Sequence, residues 1–197
     1  KLGALITKNF PDIKVIYTRK TDVFIELHER AGIANRNNAD LFISIHCNAN
    51  ANTAAFGAET YLMGLHKTDA NLDVSKRENA VITLEKDYKN QYDGFDPNAP
   101  ETHIILSLNQ NAHIEQSTLL AGFIQKQFKE LGRYSRGVKQ AGFLVLYKTA
   151  MPAVLIETGF LTNPSEGSYL ISDEGQSKLS SSIFKGFKSY KHVMEGN

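Results

Sequence analysis

Leu41-Phe42-Ile43-Ser44-Ile45-His46 and Ala153-Val154-Leu155-Ile156-Glu157-Thr158-Gly159 decide how this chain is read. Each is a short apolar run, and each ends in a side chain that can do chemistry. Runs of four or five apolar residues bounded by polar or turn residues read as strands buried on both faces. In open α/β sheets, ligands settle in the crevice at the carboxyl ends of such strands. The His46 imidazole and the Glu157 carboxylate are therefore candidates for one site, although they lie far apart in sequence.

Working outward from these two runs, strands and helices alternate. Leu2, Leu5 and Ile6 have helical spacing, which Pro11-Asp12 ends. Ile13 to Thr18 is rich in β-branched residues and predicts a strand. Ile25 to Ala34 is helical in period, and Ala58 to Met63 predicts a further strand. Asp73 to Tyr88 reads as helix, and Asn90 to Thr102, with Gly94, Pro97 and Pro100, as an irregular exposed excursion. Ile105, Leu108, Ala112, Leu119, Leu120, Phe123, Ile124 and Phe128 form an apolar stripe that predicts one helix from Ile104 to Leu131, stopped by Gly132. Phe143 to Tyr147 predicts a strand, and the last stretch of the chain a helix with Leu179, Ile183, Phe184 and Phe187 on one face. The pattern is α/β: a largely parallel central sheet with helices on both faces. One helix-rich insertion, residues 66–118, is long for a connection, and such segments carry function or mobility.

Composition narrows the function classes. A chain of 197 residues is long enough for a single domain with a real core. A net charge of +1 offers no broad attraction to nucleic acid or to an anionic membrane. No apolar stretch approaches the length of a membrane span. The single cysteine, Cys47, makes neither an internal disulfide nor a cysteine-based metal site, and it reads as a small buried residue. A phosphate loop and a GxGxxG run are both missing, so nucleotide binding has no support.

Neutral imidazole is a common zinc ligand, and a rigid strand suits a ligand that must hold its distance. An isolated histidine is nevertheless more often a hydrogen-bonded core residue. Glu157 is the stronger oddity, because glutamate is almost never fully buried unless paired. It is either half of a structural ion pair or a general base beside a metal-bound water. His28, His66, His103, His113 and His192 form no HExxH and no i, i+4 histidine pair, and His28 reads as a solvated or cap residue. Arg19, Asp22 and Arg30 read as an ion-pair set anchoring a loop to a helix.

Four stretches taken in order carry a resemblance. They are Tyr17-Thr18-Arg19-Lys20-Thr21-Asp22, Glu29-Arg30-Ala31-Gly32-Ile33-Ala34-Asn35, Asp40 to Ala49 around His46, and Pro152 to Asn163 around Glu157. Together they resemble the zinc-dependent N-acetylmuramoyl-L-alanine amidases of the type called amidase 3, across nearly the whole chain. The resemblance implies a peptidoglycan hydrolase that cleaves the amide between N-acetylmuramic acid and L-alanine of the stem peptide, with one Zn2+ per site. It implies His46 as a zinc ligand and Glu157 as the catalytic glutamate. The family's other two ligands, a histidine and a glutamate, match nothing in the chain. They are expected upstream of Lys1, with the first strand, which makes the chain an N-terminally incomplete catalytic domain. Lys76-Arg77-Glu78-Asn79-Ala80 resembles the helix that blocks the site in the autoinhibited, cell-division branch of the family. That implies Glu78 as an inhibitory metal ligand and an activator protein that displaces the helix; the alternative is a Glu78 that faces solvent. The substrate implies the periplasm or cell envelope. Two other functions stay open: a non-catalytic peptidoglycan-binding module of the same fold, and a zinc peptidase acting within the stem peptide.

Overall fold

The computed structural model describes residues 1–108 and 112–196. Helices α1 (Leu2–Asn9) and α2 (Leu27–Arg36) precede strands β1 (Phe42–Asn48) and β2 (Ala58–Met63). Next come α3 (Asp69–Asn79), a 3-10 turn (Ala80–Leu84), α4 (Tyr88–Gln91), α5 (Pro100–Ser107) and α6 (Ile114–Glu130). Strands β3 (Ser135–Ala141) and β4 (Ala153–Phe160) and helices α7 (Pro164–Ile171) and α8 (Asp173–Glu195) follow. The four strands form one sheet in the order β1-β4-β2-β3. β1 runs parallel to β4 and β2 parallel to β3, whereas β2 and β4 are antiparallel. The fold is thus α/β, with a sheet that is parallel at both edges and antiparallel at its centre. No described helix is long and apolar enough to cross a membrane.

β4 is buried along its whole length, as its apolar run predicts. Its residues alternate between two cores. Ala153 and Leu155 join Phe42, Tyr61, Met63, Phe143 and Leu144 on one face. Val154 and Ile156 join Leu62, Leu120, Ile124, Phe128 and Ile183 on the other, under α6 and α8. Helix starts are locally encoded. Ser172 Oγ accepts Gly175 N at 2.9 Å to open α8, and Asn163 Oδ1 accepts Ser165 N and Glu166 N at 3.1 Å with Pro164 opening α7.

Several expectations are corrected. β1 is not buried on both faces, since Ile45 is 49% exposed. It pairs with β4 on one side, and among the described residues no strand pairs with the other. Ile13–Thr18 is irregular, because a groove of about 1520 Å3, lined by residues 12–19 and by β1, separates the two and leaves no ladder to join. Phe143–Leu146 is buried and Tyr147 partly so, yet the stretch turns, through Leu146 N to Phe143 O and Tyr147 N to Leu144 O. The strand there is the polar, half-exposed Ser135–Ala141, an edge that needs no apolar alternation. The long helix over 104–131 is two helices, and residues 109–111 within it lie outside the described residues. Only part of its stripe is buried: Leu120, Ile124 and Phe128 pack with the second core, Ile105 and Leu108 are exposed, and it is the off-stripe Leu106 that packs with the first. The helix expected over 73–88 stops at Asn79 and tightens into the 3-10 turn. Arg19 Nη1 and Arg30 Nε donate to Val23 O and Ile25 O, and no described ion pair includes Asp22, so loop carbonyls replace the expected partner. Cys47 is exposed, with its Sγ 3.3 Å from Thr158 Oγ1.

Helices α6 and α8 cross with their backbones close together. A Cβ at Gly186 would lie 2.9 Å from Ile124 Cα and 3.0 Å from Ile124 N. Backbone cannot move aside as a side-chain tip can, so overpacking here separates the helices. Gly186→Val is expected to cost about 2 kcal/mol, read as a lower urea midpoint; an unchanged midpoint would contradict this packing.

Candidate metal and catalytic site

Both candidate side chains lie inside their strands, His46 within β1 and Glu157 within β4, so neither is at a strand exit. The ladder pairs them directly: His46 is the register partner of Glu157. On its other side Glu157 pairs with Glu59 of β2. The two-residue period of the strands puts Ser44, His46, Glu59 and Glu157 on the face of the first core.

Glu78 descends on this row from α3. Its Oε2 lies 2.8 Å from His46 Nδ1, and the two side chains are 20% and 21% exposed. Glu78 therefore faces the site and not solvent. Ser44 Oγ lies 2.9 Å from His46 Nε2, so both ring nitrogens are engaged. Ligand atoms of His46, Glu78 and Glu157 all lie within 4.8 Å of one another. The neighbours of Glu78 fix the helix as well. Arg77 Nη2 donates to Asn48 Oδ1 at 2.5 Å, and Asn79 Nδ2 donates to Gly142 O at 2.7 Å while its Oδ1 accepts Leu144 N at 2.9 Å.

The two buried strand glutamates are treated differently. Glu59 accepts from Asn48 Nδ2 at 2.7 Å, Tyr61 OH at 3.0 Å and Arg136 Nε at 3.1 Å, and it pairs with Lys139. Glu157 is fully buried, and neither of its oxygens has a hydrogen-bond partner among the described residues. Burial, then the carboxylates of Glu78 and Glu59, push its pKa up to about 9 against the opposing pull of Arg77. A buried, unpartnered carboxyl beside an imidazole and a second carboxylate suits a divalent cation that accepts nitrogen and oxygen ligands.

A second His–carboxylate group, Glu26, His28 and Glu85, has similar spacing. There the Glu85 oxygens already accept Leu27 N at 2.7 Å and Tyr92 OH at 2.6 Å, so protein donors meet the charge. His28 is thus only partly solvated, its ring set between Glu26 and Glu85. Glu59, Asn48 and Ser44 were not singled out from the sequence. Glu59 carried the same signal as Glu157, a carboxylate inside a run that packs as a strand. Asn48 and Ser44 carried none.

The family model of N-acetylmuramoyl-L-alanine amidase matches residues 1–189. The chain belongs to this amidase family. It is similar to the N-acetylmuramoyl-L-alanine amidase AmiA of Escherichia coli, 33% identical over 184 residues, covering 89% of this chain and 60% of that protein. The chain spans about 60% of the length of the first curated relatives it matches. Among solved structures, an N-acetylmuramoyl-L-alanine amidase from Clostridium difficile 630 aligns with a TM-score of 0.66 at 27% identity, over 96% of this chain and 80% of that one. The catalytic domain of CwlV from Bacillus (Paenibacillus) polymyxa aligns with a TM-score of 0.64 at 25% identity, over 98% and 79%. The fold of this chain is the amidase fold, and His46, Glu78 and Glu157 meet on the inner face of its sheet.

The raised Glu157 pKa has a thermodynamic consequence in the metal-free amidase domain. Below a carboxylate's usual 4.5, folded and unfolded chains both hold the proton. From there to about 9, only the folded chain holds it, so this group's contribution to stability falls as pH rises. The slope approaches about 1.4 kcal/mol per pH unit for one proton. Glu157→Gln cannot ionise. It is expected to raise the melting temperature of chelator-treated protein at about pH 7.5, with the gain shrinking toward about pH 4.5. A gain independent of pH would show that the carboxyl is not held protonated.

Proposed function

We propose that this chain is the catalytic part of a peptidoglycan hydrolase. In this reading it cleaves the amide between the lactyl group of N-acetylmuramic acid and L-alanine of the stem peptide, and zinc is its metal. The observation that carries the reading is Glu157, a buried carboxyl without a protein partner, in register beside His46 in an amidase-family chain. His46 would hold the metal, with Glu78 as an added, inhibitory ligand in the arrangement described. When bound, zinc supplies a Lewis acid that acidifies water and polarises an amide carbonyl. Glu157 accepts a proton from the attacking water and passes it to the leaving amine nitrogen. Its burial keeps bulk water from competing for that proton. Ser44 Oγ, on His46 Nε2, fixes the orientation of the ring.

Glu78 gives this reading a regulatory side. A carboxylate on His46 Nδ1 occupies space that substrate must enter. We read the arrangement as a closed state, in which α3, within the 66–118 insertion, blocks the site until an activator protein displaces it. The substrate lies outside the cytoplasmic membrane, which places the working enzyme in the periplasm or cell envelope.

Digestion of purified peptidoglycan by the full-length protein tests both parts. Mass analysis is expected to show free stem peptides that begin with L-alanine; fragments cut inside the peptide would instead mark a peptidase. Glu157→Gln is expected to keep its zinc and lose about 10²–10⁴-fold in rate, and full activity in that variant would sink the assignment. Glu78→Ala is expected to raise basal hydrolysis roughly tenfold, whereas an unchanged rate would remove Glu78 from regulation.

A further inference from the structure

Helix α2 begins without a cap of its own. Its N-cap residue Glu26 makes no side-chain capping bond, which leaves the first amides of the helix in need of acceptors. Both are met from far along the chain. Leu27 N donates to Glu85 Oε1 at 2.7 Å, and His28 N donates to the Tyr92 hydroxyl oxygen at 2.9 Å. The Tyr92 hydroxyl in turn donates to Glu85 Oε2 at 2.6 Å, which closes the circuit. His28 Nδ1 stands 3.4 Å from the same oxygen, and its ring meets Tyr92 edge-on. The Glu85 side chain is fully enclosed.

This cluster joins two parts of the molecule. Leu27 and His28 belong to α2, on the body that carries the sheet. Glu85 and Tyr92 belong to the helix-rich stretch, residues 66–118, that also carries Glu78. The cluster is a clasp and not a cation site, because two protein donors, Leu27 N and the Tyr92 hydroxyl, face the Glu85 oxygens and the positive end of α2 opposes a cation.

We propose that Glu85 and Tyr92 form a latch, closed on the amino end of α2, that keeps α3 docked and so holds Glu78 against His46. The proposal rests on the closed-state reading and adds the device that maintains it. The mechanical link is short. Between Glu78 and Glu85 the chain runs through the 3-10 turn, which is pinned by the fully buried Ile82. On the other side, Arg77 and Asn79 grip Asn48, Gly142 and Leu144. With the latch closed, α3 is tied at both ends of this stretch. With the latch open, the grip beside Glu78 and the apolar packing of Val74 and Ile82 remain, but the polar tie at the far end is lost. The chemistry suits a reversible catch. Opening exposes a carboxylate, a hydroxyl and two amides to water, which hydrates all of them, so the net loss is that of ordinary hydrogen bonds.

The test compares Tyr92→Phe and Glu85→Ala with the parent full-length protein by amide hydrogen exchange and by peptidoglycan hydrolysis. Exchange over Asp69–Asn79 is expected to accelerate about tenfold in each variant while β4 amides stay as slow as in the parent, since the latch acts locally. β4 amides also report whether the fold survives. If Glu85→Ala loses their protection, Tyr92→Phe, which removes one oxygen atom, decides alone. Unchanged exchange over α3 in Tyr92→Phe overturns the latch, whatever Glu78→Ala does to activity. Faster α3 exchange together with a rise in basal hydrolysis supports the latch and the closed state. Faster exchange with no rise, in a protein where Glu78→Ala is also silent, supports the latch as the docking element and overturns the inhibitory role of Glu78.

Discussion

Glu157 sits without a partner at the centre of a four-stranded sheet, and much of the surrounding architecture answers to that constraint. An ionised carboxylate cannot stay there alone, because no described donor reaches it and burial disfavours its charge. Register then decides what surrounds it. The parallel ladder with β1 sets His46 on one side, and the antiparallel ladder with β2 sets Glu59 on the other. Glu59 has its own cations in Arg136 and Lys139, so it adds negative charge beside Glu157 without offering a donor. The result is a site built short of positive charge.

The helical excursion is the second layer of the same arrangement. Three consecutive side chains of α3, Arg77, Glu78 and Asn79, each reach the body: Asn48, His46, and the Gly142–Leu144 turn. That turn is the apolar Phe143–Tyr147 stretch, which packs the first core as a coil of i to i+3 bonds. Its failure to form a strand is what gives Asn79 its anchor, since a carbonyl and an amide committed to a ladder would not be free to meet that side chain. The excursion is therefore fitted to the sheet residue by residue. Its long reach to α2 through Glu85 and Tyr92 is a second attachment of the same kind, in which one segment supplies the hydrogen bonds that another lacks.

Much was legible from local pattern. The apolar runs at Leu41–Ile45 and Ala153–Ile156 mark strands because four or five such residues in a row demand burial, and both strands formed. The α/β class follows from their alternation with helical periods. Glu157 stood out because a carboxylate cannot lie in such a run at random. Errors arose where burial and secondary structure part company. Phe143–Leu146 is buried without being a strand, Ser135–Ala141 is a strand without being apolar, and the stripe from Ile105 to Phe128 is buried only in its second half, with Ile105 and Leu108 exposed while the off-stripe Leu106 enters the first core. A one-dimensional pattern records that a side chain is buried, but it does not record against what.

The sequence by itself marked β1, β2 and β4 as strands and drew attention to His46 and Glu157 within them, because hydrophobic runs and an out-of-place carboxylate are local signals. It also contained the amidase motifs in order. Only the tertiary structure decided that His46 and Glu157 face each other across one ladder, that Glu59 flanks them and that Glu78 comes down from α3 onto the imidazole. Those are matters of strand register and of how a distant helix docks. Both depend on contacts between residues far apart in the chain, whose energies no local pattern encodes.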